Sequence, residues 1–279
     1  MSKNQYYFPR GGLPSGEKLL TGKAVFKDSY VVIPREVMTD IVTSYFPNWE
    51  NTRAWVLAKP LSGFSTTFSQ SIVNVGPDGG SEDPEIDTEI QSVIFILDGN
   101  LELIIGGEKH SLTPGSYCYI PPRISWEVKN NSSKEAYFQW IRKRYEAVEG
   151  IKYPEYFVTN EREVKVAEMH PGDKSWTTTR FVDPNDMRHD MHVNIVNFKP
   201  GGMIPFMETH VMEHGIYILE GKGVYRLNED WVEVQAGDFL WLRAFCPQAC
   251  YAGGPEDFRY LLYKDVNRHM PLDIYPLRT

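Results

Sequence analysis

The sequence predicts an all-β fold with minor helix, built as two tandem copies of one strand-rich unit. Short apolar runs of strand length are separated by frequent turn residues, with 22 glycines and 19 prolines in 279 residues. Long stretches with helical periodicity are scarce. One pattern of strands and turns also occurs twice along the chain, at a separation of 122 residues.

The apolar runs are rich in Val, Ile, Tyr, Phe and Trp, the residues that favour strands. Turn residues bound each run, which is typical of strands joined by tight connections. Helix is limited to one short candidate, PREVMTDIVTSYF at residues 34–46. The clearest strands are SVIFILDG, LELIIGG and SYCYIPP in the first half and GIYILEG, GVYRL and DFLWLRAF in the second.

The two copies align without a gap. Leu97-Asp98-Gly99 falls on Leu219-Glu220-Gly221, and Gly79-Gly80 falls on Gly201-Gly202. Glycine at such turns permits the positive φ that tight connections between twisted strands need. The pattern resembles the cupin fold, a small jelly-roll barrel, and it predicts a bicupin made of two tandem β-barrels.

The repeat predicts four segments along the chain. Residues 1–60 precede the first copy and are expected to form an N-terminal arm or extra strands. Residues 61–150 form an N-terminal barrel without a metal, and residues 151–175 form a polar linker. Residues 176–279 form a C-terminal barrel that binds a metal.

Composition limits the expected partners and compartment. The net charge is −8 and the chain has no long basic run, so neither nucleic acid nor an anionic membrane is an expected partner. The N-terminal residues show no apolar leader, and no apolar run is long enough to span a membrane. With only three cysteines, these features indicate a cytoplasmic protein.

The stretch METHVMEHG, residues 207–215, places Glu208, His210 and His214 within seven residues. The three share parity, so an extended strand would direct them all into the barrel. Gln248, on a neighbouring strand, is the candidate fourth ligand. Such a mixed nitrogen and oxygen set suits Mn²⁺ or Fe²⁺, with Zn²⁺ or Ni²⁺ as alternatives. The competing interpretation is a hydrogen-bonding cluster on the surface.

The first copy lacks these ligands. Shifted back by 122 positions, the four candidates become Ile86, Thr88, Ser92 and Trp126. None of them can replace an anionic or imidazole ligand. Only the C-terminal barrel is therefore expected to hold a metal.

Other polar residues receive structural interpretations. Glu213 has the opposite parity from the candidate ligands and is expected to be a solvated, outward carboxylate. His192, next to Asp190, is expected to be a structural histidine whose hydrogen bonds are satisfied. Cys246 and Cys250 are expected to be buried and inert, because no third thiol or imidazole adjoins them.

Tyr260 and Lys264 also share parity, in the stretch FRYLLYKDVNRHMPL at residues 258–272. A strand could direct both side chains into the barrel, where Lys264 would supply a cation for a substrate carboxylate. The alternative is an ordinary strand with a solvated lysine.

Beyond these spacings, the second half resembles the (S)-ureidoglycine aminohydrolases, a bicupin family of allantoin and purine breakdown. The resemblance is carried by ETHVMEHGIYILEGKGVYRLNEDWVEVQAGDFLWLRAFCPQACYAGG and FRYLLYKDVNR, and continues through YYFPRGGLPSG, TRAWVLAKPLSGFSTTFSQ and DMHVNIV. It implies Mn²⁺ held by Glu208, His210, His214 and Gln248. It also implies a small ureido acid substrate contacted by Tyr225, Tyr260 and Lys264.

The resemblance implies hydrolysis of (S)-ureidoglycine to (S)-ureidoglycolate and ammonia. Glu208 is expected to relay a proton, with Lys264 and Tyr260 as further catalytic residues. The alternatives are an Fe²⁺ dioxygenase, a sugar isomerase, or a non-catalytic bicupin that binds a small molecule. A homo-oligomer is expected, since closed symmetric assemblies are common.

Overall fold

A computed structural model describes residues 6–9, 24–38, 43–60, 62–266 and 268. Within these residues the regular structure is β-strand, apart from two 3₁₀ helices at Arg35–Val37 and Glu161–Glu163. The all-β prediction with minor helix is therefore confirmed. No helix in these residues is long and apolar enough to cross a membrane.

The helix expected at residues 34–46 is wrong at both ends. Its start is only the 3₁₀ turn at Arg35–Val37, and its end includes the strand Thr43–Ser44, which pairs with Trp55 and Ala54. Sheet pairing near Thr43 outweighs the weak helical pattern, because packing routinely overrides propensity. Residues 39–42 lie outside the described residues.

The strands of the described chain form three antiparallel sheets. In chain order they are β1 (Val25–Phe26), β2 (Tyr30–Ile33), β3 (Thr43–Ser44), β4 (Glu50–Ala58), β5 (Phe68–Ser81), β6 (Ile90–Asp98), β7 (Leu101–Ile105), β8 (Glu108–Leu112), β9 (Ser116–Ile120), β10 (Trp126–Lys129), β11 (Ala136–Arg144), β12 (Phe157–Asn160), β13 (Val166–His170), β14 (Asp173–Arg180), β15 (Met191–Phe198), β16 (His214–Glu220), β17 (Lys222–Leu227), β18 (Asp230–Gln235), β19 (Phe239–Leu242), β20 (Gln248–Ala252) and β21 (Phe258–Asp265).

Each half of the chain builds one barrel. The first half forms a sheet in the order β12-β9-β6-β11-β5-β10-β7-β8, with β4 paired to β5 and β3 paired to β4. The second half, joined by β1 and β2 from the N-terminal segment, forms a sheet in the order β1-β2-β19-β16-β21-β15-β14-β13. This sheet faces a three-stranded sheet in the order β18-β17-β20. This is the predicted bicupin.

The repeat found in the sequence is present in the strands. β10 begins at Trp126 and β20 at Gln248, while β11 begins at Ala136 and β21 at Phe258. Both pairs keep the separation of 122 residues. Gln248, the predicted fourth metal ligand, therefore stands at the position that Trp126 occupies in the first barrel.

Three apolar cores hold the chain together. Two of them fill the interiors of the barrels, and the third lies between the barrels. Strand β15 contributes to two cores, because Val193 and Ile195 face the first barrel while Val196 and Phe198 face the interior of the second. A strand buried on both faces reads as an almost continuous apolar run.

The barrels approach each other closely where β16 begins. A methyl group on Gly215 would lie 2.6 Å from the ring of Phe68 in the first barrel. Phe68 in turn stacks on Tyr263 of the second barrel, with ring centroids 3.9 Å apart. Only glycine fits at position 215, so the first barrel is packed directly against the strand that carries His214.

The chain also exchanges segments between the two halves. β2 precedes the first barrel but pairs with β19 of the second, with Val31 opposite Trp241. β12 follows the first barrel and pairs back onto β9. Within the predicted arm, β1 and β2 therefore lie on the second barrel, whereas β3 and β4 join the first. The domain boundaries at 60, 150 and 175 stay predictions.

Candidate active site

A cavity of about 120 Å³ opens in the second barrel. It brings together six of the seven residues singled out in the sequence. Tyr225 does not line it, because this residue is fully buried behind Tyr260, with ring centroids 6.2 Å apart. The six predicted residues in the cavity wall are Glu208, His210, His214, Gln248, Tyr260 and Lys264.

The METHVMEHG stretch is not one extended strand. Glu208 forms an isolated bridge with Gln248, in which each backbone N–H donates to the carbonyl of the other at 2.9 Å. The chain then bends, and His214 starts β16. The backbone N–H of Phe245 donates to the carbonyl of His210 at 2.6 Å and fixes the bend. The three side chains converge because of this bend, and strand parity is the wrong explanation.

The imidazoles and the carboxylate lie close together. His210 Nε2 lies 3.2 Å from Glu208 Oε1, and the rings of His210 and His214 are 5.1 Å apart at an angle of 29°. Glu208 and His210 are partly exposed, whereas His214 and Gln248 are buried. The cluster thus runs from the mouth of the cavity to its inner wall.

Burial controls the charges in the cavity. It lowers the pKa of His214 to about 3, so this imidazole is neutral at pH 7 and its nitrogen lone pair is free for a ligand bond. Burial and the nearby Arg180 lower the pKa of Lys264, an effect that Glu208 opposes. Burial also raises the pKa of Tyr260 well above its ordinary value, so its hydroxyl keeps its proton.

The donor set fits a transition metal. Glu208, His210, His214 and Gln248 face one cavity and offer the nitrogen and oxygen donors that such ions bind. His214 Nδ1 is buried and has no hydrogen-bond partner among the described residues. In the described chain no three His, Cys, Asp or Glu side chains already have metal-site spacing.

Glu213 contradicts its predicted role as a solvated carboxylate, because only 4% of the residue is exposed. Its oxygens accept hydrogen bonds from the backbone N–H groups of Thr66 and Thr67, at 2.7 and 2.9 Å, and from Trp241 Nε1 at 2.5 Å. Thr66 and Thr67 belong to the first half of the chain. Glu213, the residue before His214, therefore anchors this part of the chain to the first barrel.

His192 and Asp190 also differ from expectation. Both are buried, but His192 Nε2 has no partner among the described residues, so the histidine is not satisfied. Asp190 bonds Lys143 Nζ at 2.8 Å and the backbone N–H of Glu146 at 2.7 Å, which ties the two halves together. Asp190 and His192 are both buried because strand β15 is enclosed on each of its faces.

The cysteine prediction is confirmed. Cys246 and Cys250 are free and buried, and burial raises the pKa of both thiols. A thiol with a raised pKa stays protonated and is a poor nucleophile and a poor metal ligand.

Sequence reasoning missed three further polar residues in the cavity wall. Thr178 and Arg180 lie on β14, and Asn194 lies on β15. The available signal was Asn194, a polar residue at an inward position of the apolar run MHVNIV. Within the described residues neither Arg180 nor Lys264 forms an ion pair, and the side chain of Arg180 donates a long hydrogen bond to Met169 Sδ at 3.7 Å. The cavity thus has two cations without a direct ion-pair partner in the described part of the chain.

The matching region of the first barrel is filled with apolar side chains. Trp126 replaces Gln248 and packs against Trp140, with ring centroids 6.1 Å apart. Trp49 lies 5.3 Å from Trp140 on another side. Ser92, at the position of His214, accepts a hydrogen bond from Trp140 Nε1 at 3.1 Å. Ile86, at the position of Glu208, is 71% exposed.

The comparisons with known proteins show the family. The cupin domain family model matches residues 71–142 and 194–263. The chain is 30% identical over 258 residues to the (S)-ureidoglycine aminohydrolase of Escherichia coli, covering 92% of this chain and 96% of that protein. It is 32% identical over 248 residues to the Arabidopsis thaliana (S)-ureidoglycine aminohydrolase, covering 88% of this chain and 79% of that protein.

The chain belongs to the (S)-ureidoglycine aminohydrolase family. It is therefore a hydrolase that acts on a carbon–nitrogen bond, built from two cupin domains. A crystal structure from Pseudomonas aeruginosa, named as a glyoxylate-induced protein, shares 59% identity and a TM-score of 0.91. That match covers 97% of this chain and 99% of the other.

We predict that Glu213→Gln lowers the free energy of unfolding by about 2–4 kcal/mol, because the amide cannot accept all the hydrogen bonds that the carboxylate accepts. Urea denaturation at pH 7 measures this loss. Glu233→Gln is the matched control, since Glu233 is exposed on the same barrel. Equal midpoints for the two variants would show that this anchor contributes nothing.

Proposed function

We propose that this hydrolase converts (S)-ureidoglycine to (S)-ureidoglycolate and ammonia, as a step of allantoin degradation, with Mn²⁺ as its cofactor. The observation that carries the proposal is that one cavity holds the four candidate metal donors together with two cations, Lys264 and Arg180, that form no ion pair among the described residues. The names of the relatives support (S)-ureidoglycine as the substrate. The neutral His214, the carboxylate and the amide give a donor set that suits manganese.

The substrate is an aminal that spontaneously loses ammonia. Its reacting carbon carries an amine, a ureido nitrogen, a hydrogen and a carboxylate, and the lone pair of the ureido nitrogen helps to expel ammonia. The protein must therefore accelerate this loss and deliver water to one face of the carbon. Binding the substrate in one orientation supplies both effects.

Glu208, His210, His214 and Gln248 would hold the manganese. When bound, the ion supplies Lewis acidity and a fixed point for the substrate's carboxylate and adjacent heteroatom. Lys264 lies on the same wall as His214, because the two residues are direct cross-strand neighbours on β21 and β16. Its ammonium group thus stands beside the metal donors, where it would hold an anionic substrate.

Glu208 is the candidate proton relay. Its carboxylate lies at the partly exposed end of the donor cluster, where water can reach it. As a ligand it would keep a second oxygen able to take a proton from the incoming water and give it to the leaving amine. Tyr260 keeps its proton and would donate a hydrogen bond to the substrate, supported from behind by Tyr225.

We also propose that the protein is a cytoplasmic homo-oligomer. Exposed apolar side chains support an assembly, with Phe206 51% and Phe245 63% exposed on the second barrel. The three free cysteines suit a reducing compartment. Light scattering of the purified protein should give a multiple of the 32.1 kDa chain mass, and the mass of one chain would contradict the proposal.

The activity predicts manganese-dependent ammonia release. Protein stripped with a chelator should release ammonia from freshly made (S)-ureidoglycine no faster than the spontaneous rate, because the substrate is no longer fixed. Added Mn²⁺ should restore a rate well above that background and give a single enantiomer of ureidoglycolate. No acceleration by the manganese-loaded protein, or a racemic product, would overturn the proposal.

The relay predicts that Glu208→Gln, in protein shown to retain its metal, loses about 10²–10⁴-fold in turnover. Glu229→Gln is the control, since Glu229 is exposed on a turn of the same barrel. Turnover close to that of the control in a metal-loaded Glu208→Gln protein would rule out the relay.

A further inference from the structure

Asn194 is a buried polar residue that the fold leaves unsatisfied. It lines the active-site cavity, is 4% exposed, and its Oδ1 has no hydrogen-bond partner among the described residues. An unpaired buried amide costs stability, since it has lost its water and gained no partner. A polar group kept at such a cost is typical of a binding site.

The register of the sheet places Asn194 among the groups proposed for substrate binding. On β14 its direct neighbour is Arg180, and on β21 its direct neighbour is Leu262. Lys264 and Tyr260 flank Leu262 on the same face, one at each side, because side chains on one face recur every second residue. Asn194 therefore stands between Arg180 on one side and Lys264 and Tyr260 on the other.

This arrangement defines the chemistry of the ligand. Lys264 and Arg180 would bind an anion, such as a carboxylate. Asn194 Oδ1 can accept a hydrogen bond from an N–H group, and the amide nitrogen beside it can donate hydrogen bonds to an acceptor. A ureido group has that complement, since its terminal nitrogen donates and its carbonyl oxygen accepts. A ureido acid carries the anion and the donor–acceptor pair in one small molecule.

We propose that Asn194 recognises the ureido group of the substrate. Its Oδ1 accepts a hydrogen bond from the terminal ureido nitrogen, and its Nδ2 donates to the ureido oxygen. Asn194 is thus a specificity-determining residue, which selects ureido acids over acids of the same shape that lack the terminal N–H groups. This inference rests on the proposed function and assigns recognition of the substrate's ureido group to the amide of Asn194.

The test compares two stable ligands that differ at one group. N-carbamoylglycine ends in the ureido NH₂, and N-acetylglycine has a methyl group in its place. Calorimetric titration of the manganese-loaded protein should show N-carbamoylglycine binding at least about tenfold more tightly, because the methyl group leaves Asn194 unpaired. In Asn194→Leu this ratio should fall to about one, mainly through weaker binding of N-carbamoylglycine.

Asn197→Leu is the matched control. Asn197 lies on the same strand, does not line the cavity, and its side chain contacts Thr177 Oγ1 at 3.4 Å. This variant should keep the ratio of the parent protein. Equal binding of the two ligands by the parent, no measurable binding of N-carbamoylglycine, or an unchanged ratio in Asn194→Leu would overturn the proposal.

Thermal unfolding separates recognition from a structural role. Asn194→Leu removes a buried unpaired amide, so its ligand-free form should unfold at a temperature no lower than that of the parent. A marked drop in that temperature would identify Asn194 as a structural residue and contradict the proposal. The ligands need no turnover, so failure of the parent to release ammonia would refute the aminohydrolase proposal through a separate measurement.

Discussion

The contact between the two barrels determines the position of His214 in the candidate active site. Gly215 leaves room for Phe68 of the first barrel, and the preceding Glu213 accepts hydrogen bonds from the backbone of Thr66 and Thr67. His214 lies between these two anchored residues, at the first position of β16. The first barrel, which carries none of the candidate ligands, thus positions a candidate ligand of the second.

Duplication followed by divergence explains why one barrel can support the other. Both copies keep the same strands, but the first fills its mouth with Trp126, Trp140 and Trp49, while the second keeps a polar cavity there. Buried aromatic rings stabilise the first barrel at this position, whereas the cavity of the second barrel contains unpaired polar atoms such as Asn194 Oδ1.

The sequence predicted the strands and most of the site, because both depend on local patterns. Strand-length apolar runs bounded by turn residues predicted the strands, and the spacing around Glu208 predicted three residues of the cavity wall. The prediction that Glu213 is solvated was wrong, because parity applies only to an extended chain and the backbone bends before β16. Arg180 and Asn194 were missed because their meeting depends on the register of β14 and β15, which no local pattern encodes.

The central claim is that the four donors of the second barrel hold one manganese ion. Anomalous diffraction at the manganese edge, from crystals of the manganese-loaded protein, tests it most directly. One peak per chain is predicted, between Glu208, His210, His214 and Gln248, with none beside Trp126 in the first barrel. A peak elsewhere, or none among these four side chains, would contradict the claim.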